Sequence, residues 1–177
     1  MPLRQVVATS SITVVATLII ASLGAFLFSS SGRYDVSASS KDSPLVAWML
    51  HRTYEASLHH YGGKDIPPAD LMSLRNIEAG ARFYNASCAA CHGAPGKPLS
   101  VIGQGIEPSA PALLAASRRN SPKLMFWTIK HGVNMTAMPS FGKTQSDETL
   151  WQTAAFLYDA RGITPEKYAA LVNSGQP

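Results

Sequence analysis

The chain has 177 residues, of which 46% are hydrophobic, 8% aromatic and 15% charged, and its formal net charge is +4. This composition is that of an ordinary folded protein, and it excludes a disordered tail and a collagen-like repeat. Both cysteines lie inside one five-residue window, which excludes the multi-bridge framework of a small secreted scaffold.

The amino-terminal segment carries no charge from Gln5 to Gly32 and is rich in Val, Ile, Leu, Ala and Phe. At about 1.5 Å per helical residue, this run exceeds the roughly 30 Å hydrocarbon core of a bilayer. We therefore assign residues 1–32 to a membrane anchor or uncleaved signal, with removal as a long signal peptide as the alternative. Because Arg4 precedes the span, we expect a single-pass protein of the cytoplasmic membrane with its remaining chain on the periplasmic side.

Residues 33–72 combine a tether with an accessory helix. Serine occupies seven of the fifteen positions from Ser29 to Ser43, without apolar periodicity, which is typical of a flexible tether. From Pro44 to Tyr61 apolar residues recur at helical spacing, and two glycines follow. Three histidines lie on this accessory helix, where we expect an exposed or partner-facing role: His51, His59 and His60.

The remaining residues, 73–177, predict an all-α domain, because no stretch alternates with a period of two. Gly and Pro recur from Gly93 to Pro111 and predict a long irregular loop, of the kind that is usually functional. The predicted helices run from about Leu71 to Ser87, from Lys123 to His131 after a Ser121-Pro122 N-cap, from Asp147 to Ala160 after Ser146, and from Pro165 to about Val172.

One short motif, Cys88-Ala89-Ala90-Cys91-His92, carries the chemistry. Two thiols one helical turn apart can each add to a haem vinyl group, and the following imidazole can then ligate the iron. A thioredoxin-type dithiol would need a surrounding βαβ pattern, and a structural zinc site would need a second pair of ligands. The motif therefore predicts one haem c, attached through two thioether bonds, with His92 on the iron.

Haem iron in an electron-transfer protein needs a second axial ligand, and a methionine thioether favours its reduced state. Two of the six methionines, Met135 and Met138, lie in a glycine-bounded, non-helical segment, as a ligand-bearing loop must. Pro139 fixes the backbone immediately after Met138. The residues by themselves leave both methionines as candidates.

The motif stands among four patterns, which are Gly80-x-x-Phe83-Tyr84-x-x-x-Cys88-x-x-Cys91-His92-Gly93, Trp127-x-Ile129-x-x-Gly132, Met138-Pro139-x-Phe141 and Trp151-x-x-x-Ala155-Phe156-Leu157. With them, residues from about Ile77 to Ala160 resemble a class I, histidine/methionine-ligated monohaem cytochrome c domain. The resemblance implies a cytochrome c-like bundle of short helices around the covalent haem. It also implies that Met138 is the distal ligand, with Met135 as the alternative.

The same resemblance implies two structural contacts. The first and last helices of the domain should cross where Gly80, Tyr84 and Phe156 meet. A backbone carbonyl in the loop from Pro108 to Leu113 should accept a hydrogen bond from His92, although Ala112 stands where the family often has an acidic residue.

The resemblance implies electron transfer, with iron cycling between Fe(II) and Fe(III), rather than enzymatic catalysis. A membrane-anchored electron carrier is our first interpretation. The alternative is a cytochrome c subunit fixed in a multisubunit respiratory dehydrogenase or oxidase, with the accessory helix as its docking element. A haem-based ligand sensor or peroxidase is a third interpretation, and binding of carbon monoxide would favour it.

Charge is concentrated in the segment from Gly93 to Lys143, where six bases against the single acid Glu107 give +5, which leaves about −1 for all other residues. This excess predicts a basic face for an acidic redox partner, while a solvated surface beside the haem propionates is the alternative. Export and the lack of a binding motif argue against nucleic acid. The six bases are Lys97, Arg118, Arg119, Lys123, Lys130 and Lys143.

Overall fold

The computed structural model describes residues 2–119 and 121–174, so the predicted domain 73–177 includes a few positions outside the described residues. Within the described residues no strand forms, which confirms the all-α prediction. The helices are α1 (Leu3–Ser30), α2 (Pro44–Tyr61), α3 (Leu74–Phe83), α4 (Ala89–His92), α5 (Val101–Gln104), α6 (Pro122–His131), α7 (Asp147–Asp159) and α8 (Pro165–Asn173). They form two compact units that divide after Ser40.

The first unit contains α1, whose stretch from Arg4 to Ser30 is long and apolar enough to cross a membrane. The hydroxyl groups of Thr9, Thr13 and Thr17 each donate to the carbonyl four residues earlier, at 2.9 Å. These three hydroxyl groups therefore have partners within the helix, as they would need in a lipid environment. A signal sequence near the amino terminus would meet the same criteria of length and hydropathy.

In the second unit, α3 crosses α7 at Gly80. A Cβ atom at Gly80 would overlap the main chain of Gln152, so only glycine lets the two backbones come this close. Beside this crossing, the buried rings of Tyr84 and Phe156 lie 5.4 Å apart. The crossing contact that the resemblance implies is confirmed.

Two further helices complete the core around this crossing. From α6, Phe126 stacks on Trp151 of α7, with ring centroids 4.0 Å apart. From α8, the buried Tyr168 donates a hydrogen bond to Asn85 Oδ1 at 3.1 Å. Flat aromatic stacking and a satisfied phenol fix the positions of α6 and α8 against the α3–α7 pair.

The accessory helix α2 has the predicted bounds, and its carboxyl-terminal end packs on α6. Leu58 is buried, and the ring of Tyr61 stacks against Trp127 at 6.4 Å. The amino-terminal half of α2 is different, because its large apolar side chains remain exposed: Leu45, Trp48, Met49 and Leu50. The three histidines of α2 are exposed, as expected.

The structure corrects three predicted boundaries. The helix predicted from about Leu71 begins at Leu74, because Ser73 caps it, and after Phe83 it changes to a π-helical turn. The loop predicted as irregular contains α5, which is one turn long and is capped by Ser100. Ser121 precedes α6 in extended backbone, but its side chain makes no capping hydrogen bond.

We predict that Gly80→Ala lowers the free energy of unfolding by about 1–3 kcal/mol, because the added methyl group forces α3 and α7 apart. Thermal unfolding of the full-length protein in detergent, followed by circular dichroism, measures the effect. Gly105→Ala is the matched control, since the nearest atoms to its new Cβ lie 3.7 Å away. Equal stability of the two variants would contradict the close crossing.

Candidate functional site

The two thiols lie at the end of a continuous but irregular helical segment. A π-helical turn from Tyr84 to Cys88 leads into α4, which carries the remainder of the C-x-x-C-H motif. Such turns are rare and occur frequently at functional sites. Cys88 is 7% exposed, Cys91 is half-buried, and neither forms a disulfide. Burial raises the pKa of Cys88 to about 12, so its sulfur stays protonated at neutral pH.

Tyr84 fixes the chain on the far side of the motif. Its buried phenol donates a hydrogen bond of 2.7 Å to the carbonyl oxygen of Gly93, the residue that ends α4 with a φ of +77°. Burial raises the pKa of Tyr84 above its ordinary value of 10.0, so the group remains a donor. The backbone directly after Cys91 and His92 is therefore held.

The imidazole of His92 has a defined orientation. Its Nδ1 atom lies 2.8 Å from the carbonyl oxygen of Pro111, and because a carbonyl only accepts, Nδ1 carries the proton. Burial lowers the pKa of His92, which favours the neutral ring with a free lone pair on Nε2. The expectation of a carbonyl acceptor in the loop from Pro108 to Leu113 is confirmed, and metal-bound imidazoles are held in this way.

A support for α4 that the sequence analysis missed comes from α5. The Ser100 hydroxyl donates to the Ala90 carbonyl at 2.5 Å and accepts from Gly103 N–H at 3.1 Å. A Cβ atom at Gly103 would lie only 2.6 Å from the same carbonyl. The sequence offered one signal for α5, a serine at position 100 that can cap a helix. A helix of one turn is too short to show apolar periodicity, so this signal was missed.

The loop between α6 and α7 distinguishes its two methionines. Met138 is half-buried and packs against the hydrophobic core, whereas Met135 is 83% exposed and has a left-handed φ of 58°. Gly132, with a φ of +69°, lets the chain leave α6 directly against the main chain of Met138 and Pro139. Of the two sequence candidates, Met138 is thus the one attached to the core.

These side chains fit a haem c group by their donor chemistry. Cys88 and Cys91 offer two thiols one turn apart, and His92 offers an oriented imidazole nitrogen. Met138 offers a soft sulfur on a separate loop of the same compact unit. The chain thus has side chains of the kinds that are required to form two thioether bonds and to ligate the iron twice.

The comparison with protein families agrees with this donor set. Residues 75–157 match the family model described as cytochrome c oxidase, cbb3-type, subunit III. The match runs from α3 to α7, and so it includes the C-x-x-C-H motif and the Met138 loop. Residues 75–157 are a monohaem cytochrome c domain. No curated protein and no solved structure matches the chain.

The family of this cytochrome c domain binds covalently attached haem c, and its chemistry is haem-based electron transfer.

The six basic residues between Gly93 and Lys143 of this chain are not equally exposed. Lys130 pairs with Asp147 at 2.8 Å and is only 27% exposed, and Arg118 is half-buried. The exposed bases of this segment are Lys97, Arg119, Lys123 and Lys143.

We predict that Tyr84→Phe lowers the free energy of unfolding by about 1 kcal/mol, because the Gly93 carbonyl loses its donor. Since the folded-state pKa of Tyr84 is raised, its stabilising contribution is complete below pH 10 and is lost as the pH rises further. Denaturant titrations of the full-length protein at pH 7 and above pH 10 measure both effects. Tyr158→Phe, at a 40% exposed ring, is the control and should match the wild type.

Proposed function

We propose that this chain is a membrane-anchored monohaem cytochrome c that transfers single electrons on the periplasmic side of the cytoplasmic membrane. The observation that carries the proposal is the hydrogen bond from His92 to Pro111, which orients an imidazole directly after two free thiols. When bound, the haem supplies one-electron chemistry by cycling between Fe(II) and Fe(III).

In this proposal the side chains hold the group and make no substrate bond. Cys88 and Cys91 would form the two thioethers, and His92 and Met138 would ligate the iron. The half-buried position of Met138 supports its assignment over Met135, since a thioether already packed on the core needs little rearrangement to remain bound. The protein contributes orientation, exclusion of water and adjustment of the potential.

The proposed organisation follows from the sequence. Residues 1–32 are the anchor, residues 33–72 the tether and accessory helix, and residues 73–177 the cytochrome c domain. The span from Arg4 to Ser30 supports membrane attachment, and the position of Arg4 before it supports a periplasmic domain. Attachment at this side would place the domain where haem c is added to proteins.

A second candidate function is that of a fixed subunit in a respiratory oxidase or dehydrogenase. Two observations favour it: the name of the matching family model and the exposed apolar half of α2. Trp48 and Met49 are 60% and 55% exposed, and a membrane-embedded partner subunit with an apolar surface would cover them. Purification in mild detergent with identification of co-purifying chains separates this role from that of a free carrier.

We predict that Met138→Ala leaves the haem attached but lowers the potential, because the iron loses its thioether ligand. The reduced variant should then bind carbon monoxide, while the wild type should not. Redox titration and difference spectra of the full-length protein in detergent measure both changes. Met135→Ala is the control and should behave like the wild type, since Met135 is 83% exposed.

The reverse result, with Met135→Ala losing the thioether and Met138→Ala retaining it, would make Met135 the distal ligand. Carbon monoxide binding by the wild type at neutral pH would instead favour a ligand sensor or peroxidase.

We predict that reversing Lys97, Lys123 and Lys143 to Glu slows electron exchange with an acidic soluble redox protein. Attraction between opposite charges acts mainly during diffusional approach and is screened over about 8 Å at physiological salt. Stopped-flow rates of the full-length protein in nanodiscs test this, and the wild-type rate should fall as salt increases.

The matched control reverses three exposed lysines outside the segment from Gly93 to Lys143: Lys41, Lys64 and Lys167. It makes the same change in net charge at other positions. Equal slowing by both triple variants would show a general charge effect, and salt-independent wild-type rates would leave the basic residues as a solvated surface.

A further inference from the structure

Thr136 lies two residues before Met138 and Ser140 two residues after it, and the hydroxyl groups of both form hydrogen bonds with the backbone. The Thr136 hydroxyl donates to the Val133 carbonyl at 2.7 Å and accepts from Met138 N–H at 3.1 Å. Val133 N–H in turn donates to the Met138 carbonyl at 3.1 Å. Thr136 therefore joins the two ends of a small loop, and both backbone groups of Met138 have partners within that loop.

The second hydroxyl connects this loop to α6. Ser140 Oγ donates to the Lys130 carbonyl at 2.7 Å. That carbonyl belongs to the last turn of α6, where backbone acceptors have no partner within the helix. The chain after Met138 is thus attached to the same helix end from which the loop departs.

We propose that Thr136 and Ser140 are positioning residues that hold the Met138 thioether at the haem iron. This inference rests on the proposed function, because it requires Met138 as the distal ligand. The loop has no regular secondary structure from Gly132 to Ser140, so these hydroxyl groups replace the backbone ladder that would fix a helix or strand. Without them, the backbone hydrogen bond from Val133 to Met138 and side-chain packing would be left to keep Met138 in place.

The hold on Met138 can be measured without any redox partner. Added imidazole competes with a weak thioether for ferric iron, and its apparent affinity rises when the protein holds the methionine less firmly. Loss of the far-red absorption band of a methionine–iron(III) bond reports the displacement. The titration is done with the full-length haem-loaded protein in detergent.

We expect Thr136→Val and Ser140→Ala each to raise the apparent affinity for imidazole about two- to tenfold, the equivalent of one hydrogen bond. Thr136→Ser keeps the hydroxyl and should titrate like the wild type. Thr144→Val is the matched control, because Thr144 lies on the same connection but its exposed hydroxyl is 3.4 Å from its acceptor, the Phe141 carbonyl. Circular dichroism of each variant verifies that the fold is retained, and Ser140→Ala decides the matter if Thr136→Val does not fold.

A parallel Met138→Ala variant separates the two claims. If it retains the far-red band, the assignment of the distal ligand in the proposed function is wrong. If it loses the band while Thr136→Val and Ser140→Ala titrate like the wild type, the ligand is right and the positioning role is overturned. Weaker imidazole binding by the hydroxyl variants than by the wild type would also overturn it.

Discussion

The close crossing of α3 and α7 at Gly80 is the constraint on which the remaining arrangement depends. The chain continues from α3 into the C-x-x-C-H motif, and it enters α7 directly after the Met138 loop. Fixing these two helices against each other therefore fixes the two segments that carry the C-x-x-C-H motif and Met138. A side chain at Gly80 would overlap the backbone of Gln152, so the geometry of the site depends on the absence of one methyl group.

Around this crossing, hydrogen bonds to backbone hold the site. Tyr84 bonds to Gly93, His92 to Pro111 and Ser100 to Ala90, all at 2.8 Å or less. The hydrogen bond between His92 and Pro111 restricts the imidazole to one orientation, and the other two hold the backbone of the helical turn that carries it. A haem domain that transfers electrons would benefit from an imidazole held in the same orientation in both oxidation states.

The sequence predicts the helices of several turns in this protein and misses the features that are a single turn long. The bounds of α2 and the existence of α6, α7 and α8 follow from apolar spacing and from Pro and Gly at helix ends, and the thiol motif follows from its chemistry. The turn from Tyr84 to Cys88 was missed because one extra residue in a helical turn leaves no periodic signal. The ion pair between Lys130 and Asp147 was also missed, because it joins two residues that lie far apart in the chain. From the sequence alone, both residues appear as unpaired charges.

Iron K-edge X-ray absorption tests the central claim, a haem held by His92 and a methionine thioether, most directly. It is applied to the full-length protein purified in detergent from cells that attach haem c. We predict six-coordinate iron with five nitrogen neighbours and one sulfur neighbour in both oxidation states. A shell of nitrogen and oxygen alone, or five-coordinate iron in the reduced protein, would contradict it.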